Sequence, residues 1–349
     1  MRALLYATLI ALTCSLAGTP VAIRFFTRRG WGQEIRDELP ETHQVKRGTP
    51  TMGGTVIVAS ALAAYFLTKA VTMKAPTTSA LLVLFLMTGL GAVGFVDDFI
   101  KIFRQRSLGL RTRAKLAGQL AVTLTFAVLV LHFPNSAGLT PASEQVSFLR
   151  DIGWLSLGPV LFVVWNYVMI AGWSNVVNLT DGQDGLAGGT SVMAFGAYAV
   201  IGLWQWGQKC AALPGQGCHQ VRDPLDLAVV AAAVMGACFG FLWWNAAPAK
   251  IIMGDTGALA LGGAFAGLAI CSRTELLAVI IGGLFLMELL SVVIQVGSYK
   301  LRGKRVFKNS PIHHHFELLD WPEVTITIRF WIIAGFFVVV GLGLFKAYP

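Results

Sequence analysis

Long apolar runs alternate with short polar segments along nearly the whole chain. A membrane-spanning α-helix needs about 20 apolar residues, whereas a membrane β-strand needs only about 9–11. Ten runs have helical length, at approximately 3–23, 51–68, 75–96, 116–134, 158–177, 186–207, 227–244, 256–272, 276–299 and 330–346. The pattern therefore predicts an all-α integral membrane protein with about ten transmembrane helices in a single polytopic domain, residues 1–349.

The ninth predicted span carries polar residues at spacings of three and four, which places them on one helix face. They are Glu288, Ser291, Gln295 and Tyr299. Polar residues within a span normally face a cavity or another helix rather than lipid. We interpret this face as one wall of a cleft that opens toward the cytoplasm.

Composition and charge agree with a membrane location and predict which loops face the cytoplasm. The chain is 55% hydrophobic and 13% charged, whereas soluble domains carry about 25% charged residues. Of the 27 Lys and Arg residues, 19 fall on one set of loops and 8 on the other. The positive-inside rule assigns the richer set to the cytoplasm, so both termini are predicted to be extracytoplasmic. Because the basic residues are scattered over short loops, the net charge of +9 favours anionic lipid or an anionic substrate over nucleic acid.

The five cysteines show no metal-ligand spacing. Cys210 and Cys218 share one predicted extracytoplasmic loop, where the redox compartment permits a disulfide. Two unpaired thiols fit the sequence equally well.

Carboxylates occur at three places where predicted spans meet the cytoplasm. Asp97 and Asp98 end the third span, Asp181 and Asp184 follow the fifth, and Asp255 precedes the eighth. A surface salt bridge is the alternative for the first pair, and a helix N-cap is the alternative for Asp184 and for Asp255. Acids at the ends of apolar spans are costly and usually functional. We therefore expect these carboxylates to meet at one site.

The first and last cytoplasmic loops add other polar groups. The segment 45–54 offers Lys46, Thr51 and flexible glycines, and is compatible with either a phosphate contact or a structural turn. The last loop contains three consecutive histidines, His313–His315. Adjacent side chains diverge, which argues against a tri-His zinc site. Phosphate binding, proton transfer and simple hydrogen bonding stay open for these imidazoles.

These groups together suit one type of chemistry. Phosphoryl transfer requires acids that hold Mg²⁺ and cations that neutralise a polyanionic transition state. A site at the membrane surface further suggests one water-soluble and one lipid substrate. Three basic residues form a rim before the fourth span, and most of them are interpreted as snorkelling anchors: Arg111, Arg113 and Lys115.

Five motifs resemble, in order and spacing, those of the phospho-N-acetylmuramoyl-pentapeptide transferase (MraY) family. They are TPTMGG (49–54), FVDDFIK (95–101), NxxNLTDGxDGLA (175–187), AKxxMGDTG (249–257) and PIHHHFE (311–317). The resemblance runs from about Lys46 to the C-terminus, and HHHFE separates this family from the related polyprenyl-phosphate GlcNAc-1-phosphate transferases. It implies transfer of phospho-MurNAc-pentapeptide from its UDP carrier to undecaprenyl phosphate, giving lipid I and UMP for peptidoglycan. It also implies Mg²⁺, a homodimer and the bacterial inner membrane.

The resemblance assigns residue roles by motif position. Asp255 matches the family's Mg²⁺ ligand, and the catalytic set that it implies is Asp97, Asp98, Asp255, His313, His314 and His315. The Asp97–Asp98 pair matches one that activates the lipid phosphate or assists metal and diphosphate binding. The implied nucleoside pocket contains Lys46, Thr51, Asp184, Gly185 and Leu186. The remaining substrate-binding positions line the cleft: Lys101, Asn178, Asp181, Asn245 and Gln295. Gln183 departs from the family, where Leu is common, so the neighbouring nucleoside contacts are less firmly implied.

Two mechanisms and two other functions stay open on the sequence. Direct attack by the lipid phosphate is favoured over a covalent aspartyl-phosphate route, because that phosphate is already anionic. A GlcNAc-1-phosphate transferase would use nearly the same apparatus. A transporter or flippase should instead show paired interrupted helices and an internal repeat, and the sequence indicates neither.

Overall fold

The computed structural model describes residues 1–32, 48–104, 109–210 and 218–347. Within these ranges, ten helices are long and apolar enough to cross a membrane, which confirms the predicted number. They are α1 (Arg2–Arg28), α2 (Gly54–Val71), α3 (Thr78–Phe103), α4 (Thr112–Val130), α5 (Gly158–Thr180), α6 (Leu186–Gly207), α7 (Pro224–Asn245), α8 (Gly254–Cys271), α10 (Gly283–Arg302) and α12 (Glu323–Ala347). Two short helices complete the set: α9 (Glu275–Ile281) and α11 (Ile312–Glu317).

The ninth predicted span is not one continuous helix, so the prediction of an unbroken segment 276–299 is wrong. The structure divides it into α9 and α10 at Gly282. A Cβ on Gly282 would lie 2.4 Å from the ring of Trp173 on α5. The close approach of this ring explains why the residue at the break has no side chain.

The acidic residues that the sequence predicts to form a site lie at one end of the helix bundle, here called the acidic end. Asp97 lies near the end of α3, Asp181 directly follows α5, and Asp255 lies in the first turn of α8. Both described ends of the chain lie at the opposite end, where Arg2 shares a cavity with Lys209 and Phe345 stacks on His219.

The opposite end also carries the only strands within the described ranges, a small addition to the predicted all-α fold. Strands β1 (Gln145–Ser147) and β2 (Asp151–Ser156) form an antiparallel hairpin. The hairpin is fastened to the bundle because Ser147 N donates to the Glu275 carboxylate at 3.1 Å. Cys210 and Cys218 form a disulfide at this end, which settles the pairing that the sequence left open.

Helix α8 is the buried centre of the bundle and packs against α3 and α5. Small residues allow helices to approach closely in membranes. A Cβ on Gly94 of α3 would lie 2.2 Å from the Asp255 carbonyl oxygen, so these two backbones nearly touch. Asp97 and Asp98 lie one turn beyond Gly94 on α3. The close packing of α3 on α8 therefore places this acid pair beside the start of α8.

Candidate active site

Three buried carboxylates meet at the acidic end. Asp97, Asp98 and Asp255 each offer an oxygen, and these oxygens all lie within 4.8 Å of one another. The three residues are between 3% and 9% exposed. Carboxylates this close repel one another, and they all stay ionised only with cations nearby. The expectation that the acids from α3 and α8 converge is therefore met by the geometry.

Two lysines supply part of the compensating charge. Lys101 Nζ lies 2.6 Å from Asp97 Oδ2 and 3.1 Å from Asp255 Oδ2. Lys115 Nζ lies 2.7 Å from the same Asp255 oxygen. The interpretation of Lys115 as a snorkelling anchor is wrong, because its side chain points into the cluster. Three carboxylates against two ammonium groups leave one negative charge. A set of hard oxygen ligands with residual negative charge fits Mg²⁺, which usually takes one or two carboxylates together with phosphate oxygens.

Asp98 differs from its neighbour because it also caps a helix. Its carboxylate accepts hydrogen bonds from Asp255 N at 3.1 Å and from Thr256 N and Oγ1 at 2.9 and 2.7 Å. Asp98 belongs to α3, yet it accepts hydrogen bonds from the free backbone N–H groups at the start of α8. The alternative of Asp255 as an N-cap does not hold, since Asp255 lies inside the first turn and faces the lysines.

Thr51 and Gly254 lie directly beside this cap. Gly254 has φ +74°, and a Cβ there would lie 2.7 Å from Asp98 Oδ2 and 3.1 Å from Thr51 Oγ1. Only glycine combines this backbone conformation with such a close approach at low cost. Thr51 is therefore part of the cluster's wall. Lys46, from the same motif, lies outside the described residues.

The loop after α5 reaches the cluster through Asp181. Burial raises the pKa of the Asp181 carboxyl well above its usual range, and the charges of Asp255 and Asp98 raise it further. A hydrogen bond from the backbone of Gly254 lowers it. These causes place Asp181 close to the other carboxylates. Asn178 lies one turn earlier, in the last turn of α5, and is half-buried.

Asp184 and Gly185 connect the loop after α5 to the end of α7 and the loop that follows it. Asp184 Oδ2 accepts a hydrogen bond from Ala249 N at 2.8 Å. Gly185 N donates to Asn245 Oδ1 at 3.2 Å, and Asn245 Nδ2 donates to Ile251 O at 2.9 Å. The N-cap alternative for Asp184 does not hold, because the cap of α6 is Gly185 with φ +76° and no side chain caps it.

Leu186 begins α6 and is fully buried in an apolar cluster with Leu284, Ile326 and Phe330. Its side chain therefore packs in the core, and only its backbone faces the loop that Asp184 holds.

The three histidines have three different partners. His313 Nδ1 is hydrogen-bonded to Glu288 Oε2 at 3.0 Å, with both side chains fully buried. His314 Nδ1 is 2.7 Å from Glu317 Oε2, and His315 Nδ1 accepts from Lys308 N at 3.1 Å. The His313 ring packs on the loop after α5, since a Cβ on Gly182 would lie 2.5 Å from its Nε2. Glu288 therefore fixes the orientation of a ring that faces this loop, residues 181–185, which we call the acidic loop.

A substitution at Gly182 tests this contact. We expect Gly182→Ala to reduce the reaction rate at this site by about tenfold to a hundredfold, because an added methyl group must displace the His313 ring and a shift of about 1 Å can cost a hundredfold. Initial rates of release of UMP, the product that the sequence resemblance implies, measure this. Gly172→Ala on α5 is the matched control, because nothing lies within 4 Å of a Cβ built there. Equal rates for the two variants would contradict a role for this packing.

The polar face of the ninth predicted span contacts the last loop, while Ser291 lines a groove beside it. Gln295 donates through Nε2 to Phe307 O at 2.9 Å and accepts from Val306 N and Phe307 N. Tyr299 is 60% exposed. The face holds the last loop and α11 in place. Gln295 thus supports the loop that carries the histidines.

Sequence reasoning missed several residues that shape the site. They are Lys115, Thr256 and Glu323, whose Oε1 accepts a hydrogen bond from Asp184 N at 3.0 Å. A lysine in the first turn of a span cannot be distinguished from an anchor by pattern alone. Glu323 lies about 140 residues from Asp184 in sequence, so no local signal connects them.

Within the described residues, ten helices long and apolar enough to cross a membrane and a buried carboxylate–lysine cluster at one end are typical of a membrane-embedded enzyme that acts on phosphate-bearing substrates. Residues 80–273, more than half of the chain, match the model of glycosyl transferase family 4. Residues 46–58 match signature 1 of phospho-N-acetylmuramoyl-pentapeptide-transferase.

Curated relatives agree over the full length. Proteins named phospho-N-acetylmuramoyl-pentapeptide-transferase are 61% identical in Streptomyces griseus subsp. griseus and 60% identical in Frankia casuarinae, each match covering 99% of this chain and 98% of the relative. The one in Beutenbergia cavernae is 57% identical, with 99% of both chains covered. The chain belongs to the phospho-N-acetylmuramoyl-pentapeptide-transferase family.

Proposed function

We propose that this protein transfers phospho-N-acetylmuramoyl-pentapeptide from its UDP carrier to undecaprenyl phosphate, giving lipid I and UMP. The observation that carries the proposal is the cluster of three carboxylates and two lysines at the acidic end. Membership of the family supplies the substrates, because the relatives carry the name of this transferase. The charge distribution supports placing the acidic end in the cytoplasm. The disulfide at the opposite end supports it independently, since disulfides persist in oxidising compartments.

An apolar groove suits the lipid substrate. It has a volume of about 440 Å³ and lies beside the α9–α10 break, lined by Leu286, Leu290 and Ile294 of α10 and by Phe337 of α12. Ile312 also lines it and directly precedes His313. The groove therefore lies next to the helix that packs on the acidic loop. A polyprenyl chain in this groove would have its phosphate near that loop.

The carboxylates of Asp97, Asp98 and Asp255 would hold Mg²⁺. When bound, Mg²⁺ supplies charge neutralisation for the diphosphate and for the transition state. Lys101 and Lys115 offset further negative charge at the same place. The lipid phosphate oxygen attacks the β-phosphorus, the bond between that phosphorus and the bridging oxygen breaks, and UMP leaves. No protein group has to remove a proton, because the attacking phosphate is already anionic.

The covalent alternative passes through an aspartyl-phosphate. It would release UMP from the UDP substrate without lipid and leave a phosphorylated Asp on the protein. Direct attack predicts that UMP release requires undecaprenyl phosphate. Exchange of labelled UMP in the absence of lipid would overturn that preference.

Replacing Asp184 tests the nucleotide side of the site. Asp184→Asn keeps an acceptor for Ala249 N but removes the charge. We expect KM for the UDP substrate to rise by about tenfold or more, since a hydrogen bond to a charged group contributes about 1.5–3 kcal/mol, while kcat changes little. Initial rates over a range of UDP substrate concentrations separate the two constants. A fall in kcat at unchanged KM would show that Asp184 acts on the chemical step.

UMP release from UDP-MurNAc-pentapeptide, undecaprenyl phosphate and Mg²⁺ tests the proposed function. We expect release with this substrate and none with UDP-GlcNAc, which is the substrate of the rival transferase class. UMP release with UDP-GlcNAc alone would identify the protein as a GlcNAc-1-phosphate transferase. No release with either substrate would overturn the proposal. The described residues contain one interrupted span, at Gly282, whereas a transporter should have a matching pair.

A homodimer in the bacterial inner membrane belongs to the same proposal. The mass of the detergent-solubilised protein tests the oligomeric state, and a monomeric mass would contradict it.

A further inference from the structure

A second cavity lies at the opposite end of the bundle from the acidic cluster. It has a volume of about 480 Å³ and is lined where α1 and α7 begin and where α2 and α6 end. Ser79, next to this cavity, is bonded to Asp223, and α3 rises roughly 27 Å from Ser79 to Asp97. The cavity is therefore separate from the proposed transfer site.

Basic residues are concentrated in this cavity. Five line it: Arg2, Lys69, Lys74, Lys209 and Arg222. The sequence places only three other Lys or Arg residues at this end: Arg150, Arg273 and Lys346. Basic residues are disfavoured on the outer side of a membrane. Their clustering around one cavity therefore indicates an anionic ligand rather than general surface charge.

The two acidic residues of the cavity are already engaged. Asp226 Oδ1 accepts from Lys69 Nζ at 2.6 Å, and Oδ2 accepts from Tyr65 Oη at 2.7 Å and from Thr77 Oγ1 at 2.8 Å. Asp223 Oδ2 accepts from Ser79 Oγ at 2.5 Å and lies 3.4 Å from Arg222 Nε.

The three other basic residues of the cavity differ from Lys69 and Arg222 within the part of the chain that the structure describes. Among the described residues, no carboxylate lies within ion-pair distance of the remaining three cations, Arg2, Lys74 and Lys209. The cavity thus has a surplus of positive charge.

The cations closest to the bundle are held in place by the protein itself. Lys69 is 8% exposed and lies 5.7 Å from the centre of the Tyr65 ring. Arg222 donates to Thr78 Oγ1 at 3.1 Å and also to Phe133 O. Side chains that are ordered before a ligand arrives lose little entropy when it binds. These two residues form the fixed wall of the cavity.

Apolar residues continue the cavity toward the membrane. Ala3, Leu225 and Val229 line it beside the charges. Further along α1, Leu5 and Leu9 are 62% and 57% exposed and face away from the bundle. A ligand that fills both parts has an anionic head and an apolar tail. We propose that this cavity binds the phosphate headgroup of an anionic phospholipid, with its acyl chains along the exposed face of α1.

Native mass spectrometry of the full detergent-solubilised chain tests the proposal. We expect phosphatidylglycerol to bind more tightly than phosphatidylcholine, because only the former has a net negative headgroup. Inorganic phosphate is added as a competitor to distinguish a lipid from a free anion. Equal affinity for the two lipids would overturn the proposal. Displacement by millimolar phosphate, with no preference between the lipids, would instead identify a site for free phosphate.

Substitutions of lysines in the cavity test whether phosphatidylglycerol binds there. We expect Lys74→Gln and Lys209→Gln each to weaken phosphatidylglycerol binding roughly fivefold, and about thirtyfold together, from the usual contribution of a basic residue near anionic lipid. Lys346→Gln is the matched control, since Lys346 lies at the same end and contacts Trp204 outside the cavity. Unchanged transfer activity in the three single variants shows that they fold. The same loss in Lys346→Gln as in the cavity variants, or no loss in either, would contradict the site.

Discussion

Replacing Asp255 with Asn should reduce UMP release by at least about a thousandfold, because a catalytic metal contributes several kcal/mol to transition-state stabilisation. Asn has nearly the same shape as Asp but lacks the negative charge. In this site the Asp255 carboxylate contacts both Lys101 and Lys115. Its loss removes the anion common to the two lysines and one oxygen ligand of the proposed Mg²⁺. The rate of UMP release at saturating substrates measures the effect.

The control for Asp255→Asn is the same substitution at the opposite end. Asp223→Asn likewise removes a carboxylate charge, at a residue that accepts a hydrogen bond from Ser79 Oγ and lies far from the cluster. We expect its transfer rate to stay close to that of the unaltered protein. Full activity in Asp255→Asn would contradict the metal role of Asp255.

Asp97→Asn should lower kcat by at least about a hundredfold with little change in stability. Asp97 is bonded to Lys101 at 2.6 Å and accepts from Leu110 N at 2.8 Å, and Asn can keep the second bond. What it loses is the charge that faces the proposed Mg²⁺ and the diphosphate of the proposed substrate. Removing one electrostatic group that stabilises a transition state costs about a hundredfold to a thousandfold. Single-turnover rates and thermal unfolding of the same preparation separate the two effects.

Comparison of Asp98→Asn with Asp97→Asn tests whether Asp98 also caps α8. Its carboxylate accepts three hydrogen bonds at the start of α8, and an amide cannot accept all of them. We expect activity to fall as in Asp97→Asn, with an additional loss of about 1–2 kcal/mol of unfolding free energy, the usual effect of removing a helix cap. Identical stability of the two variants would show that the cap contributes nothing.

The fold could be predicted from the sequence because each span is a local pattern. Twenty apolar residues specify a membrane helix wherever they occur, and ten such helices are present within the described residues. The break at Gly282 could not be predicted in this way. It depends on the Trp173 ring, which is more than 100 positions away.

The site was partly predictable for a related reason. Acids at the ends of apolar spans are unusual enough to be noticed one by one, and Asp97, Asp98 and Asp255 do meet. Lys115 was misjudged because a basic residue at a span end is common and its direction depends on packing. The capping role of Asp98 could not be predicted either. The sequence does not distinguish two adjacent Asp residues, and only the packing of α8 against α3 shows which of them caps α8.

The packing of α3 on α8 explains how the fold holds like charges together. Gly94 lets the two backbones approach, so Asp98 reaches the free N–H groups of α8. Those donors and the two lysines offset much of the repulsion. The remaining negative charge is what makes the cluster suitable for a divalent cation.

The position of the bound cation shows whether the three carboxylates form a metal site. Crystals of the protein soaked in Mn²⁺, which substitutes for Mg²⁺ at oxygen sites and scatters anomalously, would show where the ion binds. We expect one anomalous peak within metal–oxygen bonding distance of the Asp255 carboxylate and beside Asp97 or Asp98, and no such peak in Asp255→Asn. A peak elsewhere in the protein, or an unchanged peak in the variant, would contradict it.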